Sequence, residues 1–205
     1  MYRPAANVVD DETGWQILAG AHAGHLVTAE AGSLDATFLP FLVDVEGHRV
    51  LAHVARANPQ WRSADGGRGL LIASGADAYI SPSYYATKRE TGRVVPTWNY
   101  TVVHVHGVVR VHDDEDWLRD LVSRLTERHE RGREEPWAVT DAPGEYIDRN
   151  LKAIVGVELV VDRLEAKRKL SQNRSSEDVA GVIDGLSRGT AIERAVAGEM
   201  QQSGS

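Results

Sequence analysis

The sequence predicts an α+β protein in which short antiparallel strands form a barrel or meander and helices pack around it. Three observations point there. Short β-branched or aromatic runs follow one another between Leu26 and Val109, each bounded by turn residues, with no intervening helix long enough to build βαβ units. Two amphipathic segments, 113–131 and 142–154, come only after that series. An alternating run, Gly156–Leu164, then returns to strand, so the sheet closes late with a strand distant in sequence.

Composition bounds the function classes. At 205 residues the chain is long enough for one domain with a helical appendage. It has no cysteine, which excludes disulfides, thiolate nucleophiles and cysteine-ligated metal clusters. No apolar run approaches the roughly 20 residues that span a bilayer, and no secretory signal is visible, so a cytoplasmic protein with no membrane partner is expected. A formal net charge of −7 argues against a broad nucleic-acid footprint, and only a local basic patch could supply one.

Taken in order, Thr13–Ala21 reads as a short helix, and Leu26–Glu30 with Leu34–Asp44 as a hairpin around Gly32-Ser33. Pro40 belongs at an edge or bulge of that second arm. Arg49–Arg56 is the next strand, Arg62–Arg68 a glycine-rich loop, and Gly69–Ser74 with Asp77–Ile80 another strand or pair. After the helices and late strand, Arg163–Arg174 is the one concentrated basic segment. Ser175–Leu186 is a capped helix and Ala191–Met200 one more helical segment. The expected division is a domain over 1–164, a basic loop with C-terminal helices over 165–200, and a disordered tail over 201–205.

The densest site-type segment is Ile80–Gly107, where a Ser81-Pro82-Ser83 turn, Tyr84-Tyr85, a Lys88/Arg89/Arg93 loop and Pro96-Thr97-Trp98-Asn99-Tyr100 precede an alternating strand. Aromatics, an amide and hydroxyls beside cations suit a flat, anionic ligand, although any one of these aromatics alone is better read as core or interface. Glycine-rich phosphate loops are absent, so an anion must be held by side chains. The candidates are Arg56 with Asn58, the Lys88/Arg89/Arg93 loop, and Lys167–Arg174, whose plainer reading is a solvated basic face. His104, His106 and His112 invite a metal reading, but no nearby carboxylate has a ligand spacing, and no metal is expected.

Met1-Tyr2-Arg3-Pro4, Leu39-Pro40-Phe41, His53-Val54-Ala55-Arg56-Ala57-Asn58-Pro59-Gln60-Trp61, Tyr79 to Tyr85, Val95 to Tyr100 and Lys169-Leu170-Ser171-Gln172-Asn173-Arg174 occur in that order. As a set they resemble the PaiB-type family, the FMN-binding negative transcriptional regulators. The resemblance implies a split β-barrel related to the pyridoxamine-phosphate-oxidase-like flavoproteins, an antiparallel Greek key, working as a homodimer with FMN between the subunits. It implies that His53, Arg56 and Asn58 lie near the phosphate and ribityl chain, and Thr37 and Phe38 near the ring. Trp98, Asn99, Tyr100, Lys169, Ser171, Gln172 and Asn173 would complete the pocket. Tyr84 stands where that family usually has tryptophan.

The function so implied is a flavin-linked negative regulator of transcription. With no helix-turn-helix or other base-reading element in the sequence, direct DNA binding is not expected. The alternative is an FMN-dependent oxidoreductase acting on a small molecule in the dimer cleft, with Tyr84, Tyr85 and His104 facing the substrate. A third reading is a split barrel holding another planar ligand, such as haem or a deazaflavin, with His104 or His106 as an axial ligand.

Overall fold

Alternation of buried valines along one stretch of chain sets the architecture. Val103, Val105 and Val109 are fully buried on a 16-residue strand, Thr97–His112, while His104, His106 and Val108 between them are only half-buried. The computed structural model describes residues 1–30 and 32–203. Its elements run α1 (Asp11–Gly20), β1 (Ala23–Glu30), β2 (Ser33–Asp44), β3 (Arg49–Ala55), α2 (Gln60–Ala64), β4 (Arg68–Ile80), α3 (Thr87–Glu90) and β5 (Thr97–His112). They continue with α4 (Glu115–Glu130), α5 (Gly144–Leu151), β6 (Ile154–Lys169), α6 (Ser176–Ser187) and α7 (Ala191–Ser203). The strands close in the order β1-β2-β3-β6-β5-β4. The late strand β6 enters beside β3, antiparallel, with Ala52 opposite Val157.

The chain divides into two units. One comprises Trp15–Ala73 and His104–Leu164, and the other Met1–Gly14, Ser74–Val103 and the chain from Glu165 onward. We call them the barrel unit and the helical unit.

In the barrel unit, Leu26, Leu39, Val50, Ala52, Leu71, Val157 and Leu159 are buried around one interior space. Helix α4 covers an outer face, where Leu121 and Leu125 pack on Leu42 and Leu51 beside Trp117. Its start is fixed by Asp114, whose carboxylate accepts from the Trp117 amide at 2.8 Å, and Glu115 and Asp116 sit in the first turn where the helix dipole favours them. Pro40 pairs with Ala23 of β1, whereas pairing to β3 begins only at Phe41, so the missing N–H breaks no ladder.

The helical unit has its own core. Ile80, Tyr85, Leu170, Val182, Leu186, Val196 and Met200 form one buried cluster under α6 and α7. Burial of the aliphatic stripe of α6, not propensity, holds that helix, because its sequence contains Gly181 and Gly185. The Ser175 hydroxyl caps it by accepting from the Asp178 amide at 3.3 Å.

Several boundaries differ from the sequence reading. The 62–68 loop contains the end of α2, started by Pro59 at φ −70°, which is already set for a helix. Segments 69–74 and 77–80 are one 13-residue strand, β4. The 88–90 part of the basic loop is the helix α3. Strand β6 runs on to Lys169, so residues 165–169 are not loop; Glu165, Ala166 and Lys167 are buried, and a bridge from Val8 to Lys167 extends the ladder. Residues 201–203 of the expected disordered tail continue α7, because Met200 at its end is buried in the core and anchors the last turn. Residues 204 and 205 lie outside the described residues.

Candidate functional site

In the helical unit, the last residues of β6 and the turn after it gather cations. Lys167 is buried, with its Nζ 5.2 Å from the centroid of the Tyr100 ring and donating to the Tyr2 carbonyl at 3.3 Å. Lys169 Nζ donates to the Trp98 carbonyl at 2.6 Å and to the Thr97 hydroxyl. Arg174 lies over the Tyr85 ring at 4.7 Å. Among the described residues no carboxylate lies within ion-pair distance of these three cations. Burial, then the charges of Lys167 and Arg174, push the Lys169 pKa below its ordinary 10.5. The Arg168 Nε, in the same run, is buried and, among the described residues, without a hydrogen-bond partner.

The turn that brings Arg174 back is built by the Ser171-Gln172-Asn173 segment. Ser171 takes a left-handed backbone, φ 66°, and reverses the chain. The Gln172 side chain clamps the reversal, accepting from the Leu170 amide and donating to the Arg168 carbonyl, both at 2.7 Å. Asn99, at 0% exposure, donates to the Ser171 hydroxyl at 3.0 Å and accepts from it at 3.2 Å, tying the turn to β5. Asn99, Ser171 and Gln172 therefore hold the site in shape, while Asn173 is exposed.

Beside Lys169, Trp98 is 47% exposed, meets the Tyr79 ring edge-on at 6.1 Å between centroids, and donates its indole N–H to Asp77 at 2.9 Å. Asp77 and Tyr79, read in the sequence only as strand and, for Tyr79, as the start of a family motif, were not among the candidate site residues; their signal is the period-two placement on β4. This unit thus joins a cation cluster without counter-ions to a half-open aromatic pair.

In the barrel unit, Thr37, Asn58 and Gln60 form one network. The Asn58 amide donates to the Thr37 hydroxyl at 2.8 Å, which donates to Gln60 Oε1 at 2.5 Å. Gln60, buried, sends its amide to the Leu26 carbonyl and the Thr28 hydroxyl at 3.1 and 3.0 Å. Phe38, beside it, is 64% exposed and tilts against the His25 ring at 5.2 Å. Arg56 is committed to internal partners. Its guanidinium grips both Asp113 oxygens and donates to the Lys152 and Ile154 carbonyls at 2.7 and 3.0 Å, and it holds the Asp113 carboxyl below its usual range. His53 is half-buried, its burial lowers its pKa from 6.5, and its Nδ1 has no hydrogen-bond partner among the described residues.

Of the substrate-facing candidates, the structure removes Tyr85. Its side chain is fully buried among Ile80, Val182, Leu186 and Met200, because its ring is the largest apolar surface available to that core. Tyr84 packs against the same cluster, in contact with Gly185 of α6. His104 is half-buried, its ring 6.4 Å from that of His106.

An FMN phosphate is a dianion, and the three cations with no carboxylate partner, together with an orphaned buried Arg168 Nε, fit such a group. Comparison with known proteins bears on the cofactor and the family. Residues 1–163 match the family described as "Putative FMN-binding domain". The chain is 33% identical over 190 residues to the Protease synthase and sporulation protein PAI 2 of Bacillus subtilis, covering 91% of this chain and 89% of that one. Among solved structures, it resembles the FAD and heme binding protein of Mycobacterium smegmatis, with TM-score 0.61 at 17% identity over 85% of this chain and 79% of that one. It also resembles the flavocytochrome Anf3 of Azotobacter vinelandii, with TM-score 0.59 at 17% identity over 85% and 75% of the two chains. The six-stranded barrel is accordingly a split barrel of the flavoprotein type, and the chain belongs to the PaiB-type family of FMN-binding proteins.

Proposed function

We propose that this chain holds FMN by its phosphate on Lys167, Lys169 and Arg174, as a homodimer whose flavin state controls transcription negatively. One observation carries the binding half: three neighbouring cations without a carboxylate, in a chain of net charge −7 where counter-ions are plentiful. An anion there offsets the burial and, after it, the repulsion from Lys167 and Arg174 that lower the Lys169 pKa. Thr97 and the Trp98 carbonyl orient the Lys169 ammonium, and Trp98 with Tyr79 supplies an aromatic surface for the ring. When bound, FMN supplies hydride and electron chemistry. The regulatory half rests on the family resemblance and on the Bacillus subtilis relative, whose name refers to sporulation. Among the described residues, no helix is long and apolar enough to cross a membrane.

The second reading, an FMN-dependent oxidoreductase, draws on the half-open Trp98. A ring resting there stays accessible to a small molecule. Titration of flavin-free protein with FMN tests the shared premise: Lys169→Ala weakens binding about tenfold or more, the worth of one charge-assisted contact. Unchanged affinity in Lys169→Ala removes the proposed phosphate site. Bleaching of the bound flavin by NAD(P)H favours the enzyme. A promoter shift that survives about 0.2 M salt favours the regulator, because non-specific binding collapses there.

A further inference from the structure

A cleft lies in the barrel unit between α4 and the chain that follows it, and none of the preceding chemistry uses it. Helix α4 is capped at Arg131, Gly132 reverses the chain at φ 88°, and the segment from Pro136 to Thr140 returns beside the helix. Glu130 accepts from the Trp137 amide at 3.1 Å and Asp141 from the Ala138 amide at 2.8 Å, so the returning segment is held by the chain's own bonds. The space enclosed is about 480 Å³, within the range of small-molecule pockets.

One wall is the α4 face on which Ser123, Thr126, Glu127 and Glu130 recur at helical spacing; the other holds Trp137 and Thr140. The hydroxyls of Ser123, Thr126 and Thr140 make no hydrogen bond among the described residues, and neither does the Trp137 indole N–H. Glu127 stands 3.7 Å from Arg131, too far for a hydrogen bond, so the pair offers an acceptor and a donor side by side. Glu130 is committed, to Arg133 at 3.2 Å and to the Trp137 amide. Carboxylates and guanidiniums thus offset one another, and a net charge on a ligand meets no unopposed partner. Trp137, 46% exposed, adds a flat apolar face.

A smaller lobe of about 300 Å³ shares Thr126, Glu130 and Trp137 with this space. Its further lining is mainly apolar, apart from the exposed His129, which tilts against the His22 ring at 5.5 Å, and His53, whose Nδ1 is closed to solvent.

Three unpartnered hydroxyls, a carboxylate and a guanidinium beside one indole face call for a neutral molecule with an apolar face and several groups that both donate and accept. A pyranose has both, since ring C–H groups form its face and hydroxyls project from its rim. Two adjacent ring hydroxyls can give to Glu127 and take from Arg131 together. We propose that the α4 cleft binds a neutral pyranose sugar, its C–H face on Trp137 and its hydroxyls on Ser123, Thr126, Thr140 and the Glu127–Arg131 pair. The site lies wholly within the barrel unit and does not rest on the FMN reading.

The probes are the methyl glycosides of glucose, galactose and mannose, titrated into the protein in the presence of FMN. The Trp137 indole N–H is followed by nitrogen–proton NMR and assigned by its loss in Trp137→Phe. At least one glycoside should saturate, and bind about fivefold or more tightly than cyclohexanol, a ring without the hydroxyl set, or glycerol, hydroxyls without a ring face. Thr126→Val and Thr140→Val, which exchange a hydroxyl for a methyl, should each weaken the glycoside about fivefold, the worth of one hydrogen bond, and spare cyclohexanol. A general loss of stability does not produce that ratio. Trp137→Ala should weaken glycoside and cyclohexanol alike, read on the Thr140 amide, and leave FMN affinity unchanged. The proposal is overturned if none of the glycosides saturates, if cyclohexanol or adenine binds as tightly, or if the hydroxyl variants change nothing. Displacement of the glycoside by riboflavin in flavin-free protein would overturn it too, by assigning the cleft to the flavin.

Discussion

The barrel unit and the helical unit spend their polar residues in opposite ways. In the barrel unit almost every polar group of the motif 53–60 is committed to another: Arg56 to Asp113 and two carbonyls, Asn58 to Thr37, Gln60 to Thr28 and Leu26. In the helical unit the cations Lys167, Lys169 and Arg174 face aromatic rings, hydroxyls and carbonyls but, among the described residues, no carboxylate. A satisfied network locks a scaffold, whereas uncompensated like charge is a standing cost that a ligand of opposite sign removes. Motif density alone thus does not distinguish a residue that binds from one that braces; the partners of its polar atoms do.

The strongest way to break the comparison is to cut one core and watch the other. Leu186→Ala should cost about 2–5 kcal/mol, the usual range for a fully buried leucine. Hydrogen exchange should accelerate most in α6, α7 and the start of β5. Uniform acceleration through β1–β3 would show the two units unfolding as one. Next in size, Asn99→Ala leaves the Ser171 hydroxyl without its buried partner and should cost about 1–3 kcal/mol, read by denaturant midpoint.

A sharper contrast sets two cations against each other. Lys169→Ala should reduce FMN affinity by about tenfold or more, and Arg56→Ala by less than that while lowering stability by about 1 kcal/mol through its lost carbonyl bonds. The reverse ranking would return the phosphate to the barrel unit, where the family resemblance puts it.

The smallest effects are in pH. A phosphate favours protonated Lys169, so FMN affinity should fall as pH rises through the depressed Lys169 pKa, below 10.5, and Lys169→Gln should flatten that fall. His53 gives the opposite sign. Its folded pKa lies below 6.5, so the unfolded chain takes up the proton first, and stability is full above that value and declines as pH drops below it. His53→Phe should remove that part of the acid slope in a thermal melt.

Much of the fold was legible in the sequence because it rests on periodicity. The buried alternation of β5, the stripe of α4 and the late strand β6 all follow from apolar spacing. The ends were not, because they are set at a distance. Lys167 reads as part of a solvated basic run until Val8 and the Tyr100 ring cover it. Of the residues of the candidate site, Lys169 and Trp98 stood out by type. The bracing of Arg56 by Asp113 was not, since those residues are 57 apart in sequence. The core position of Tyr85 was equally hidden, because a tyrosine beside a turn looks the same whether its ring faces solvent or leucines.

Helix α6 approaches Tyr84 so closely that a Cβ at Gly181 would stand 2.1 Å from the Tyr84 carbonyl oxygen, and one at Gly185 would stand 2.4 Å from its ring. Two glycines in a helix of 12 residues make it a poor helix alone, so α6 depends on its packing against the Tyr84 turn and the buried cluster. Its order is borrowed. The groove that those glycines leave fixes the width of the ring at position 84, so a tryptophan there would need a different helix face beneath it. The ring at 84 and the bare backbone at 181 and 185 are therefore sterically coupled, and a larger group on either side needs room made on the other.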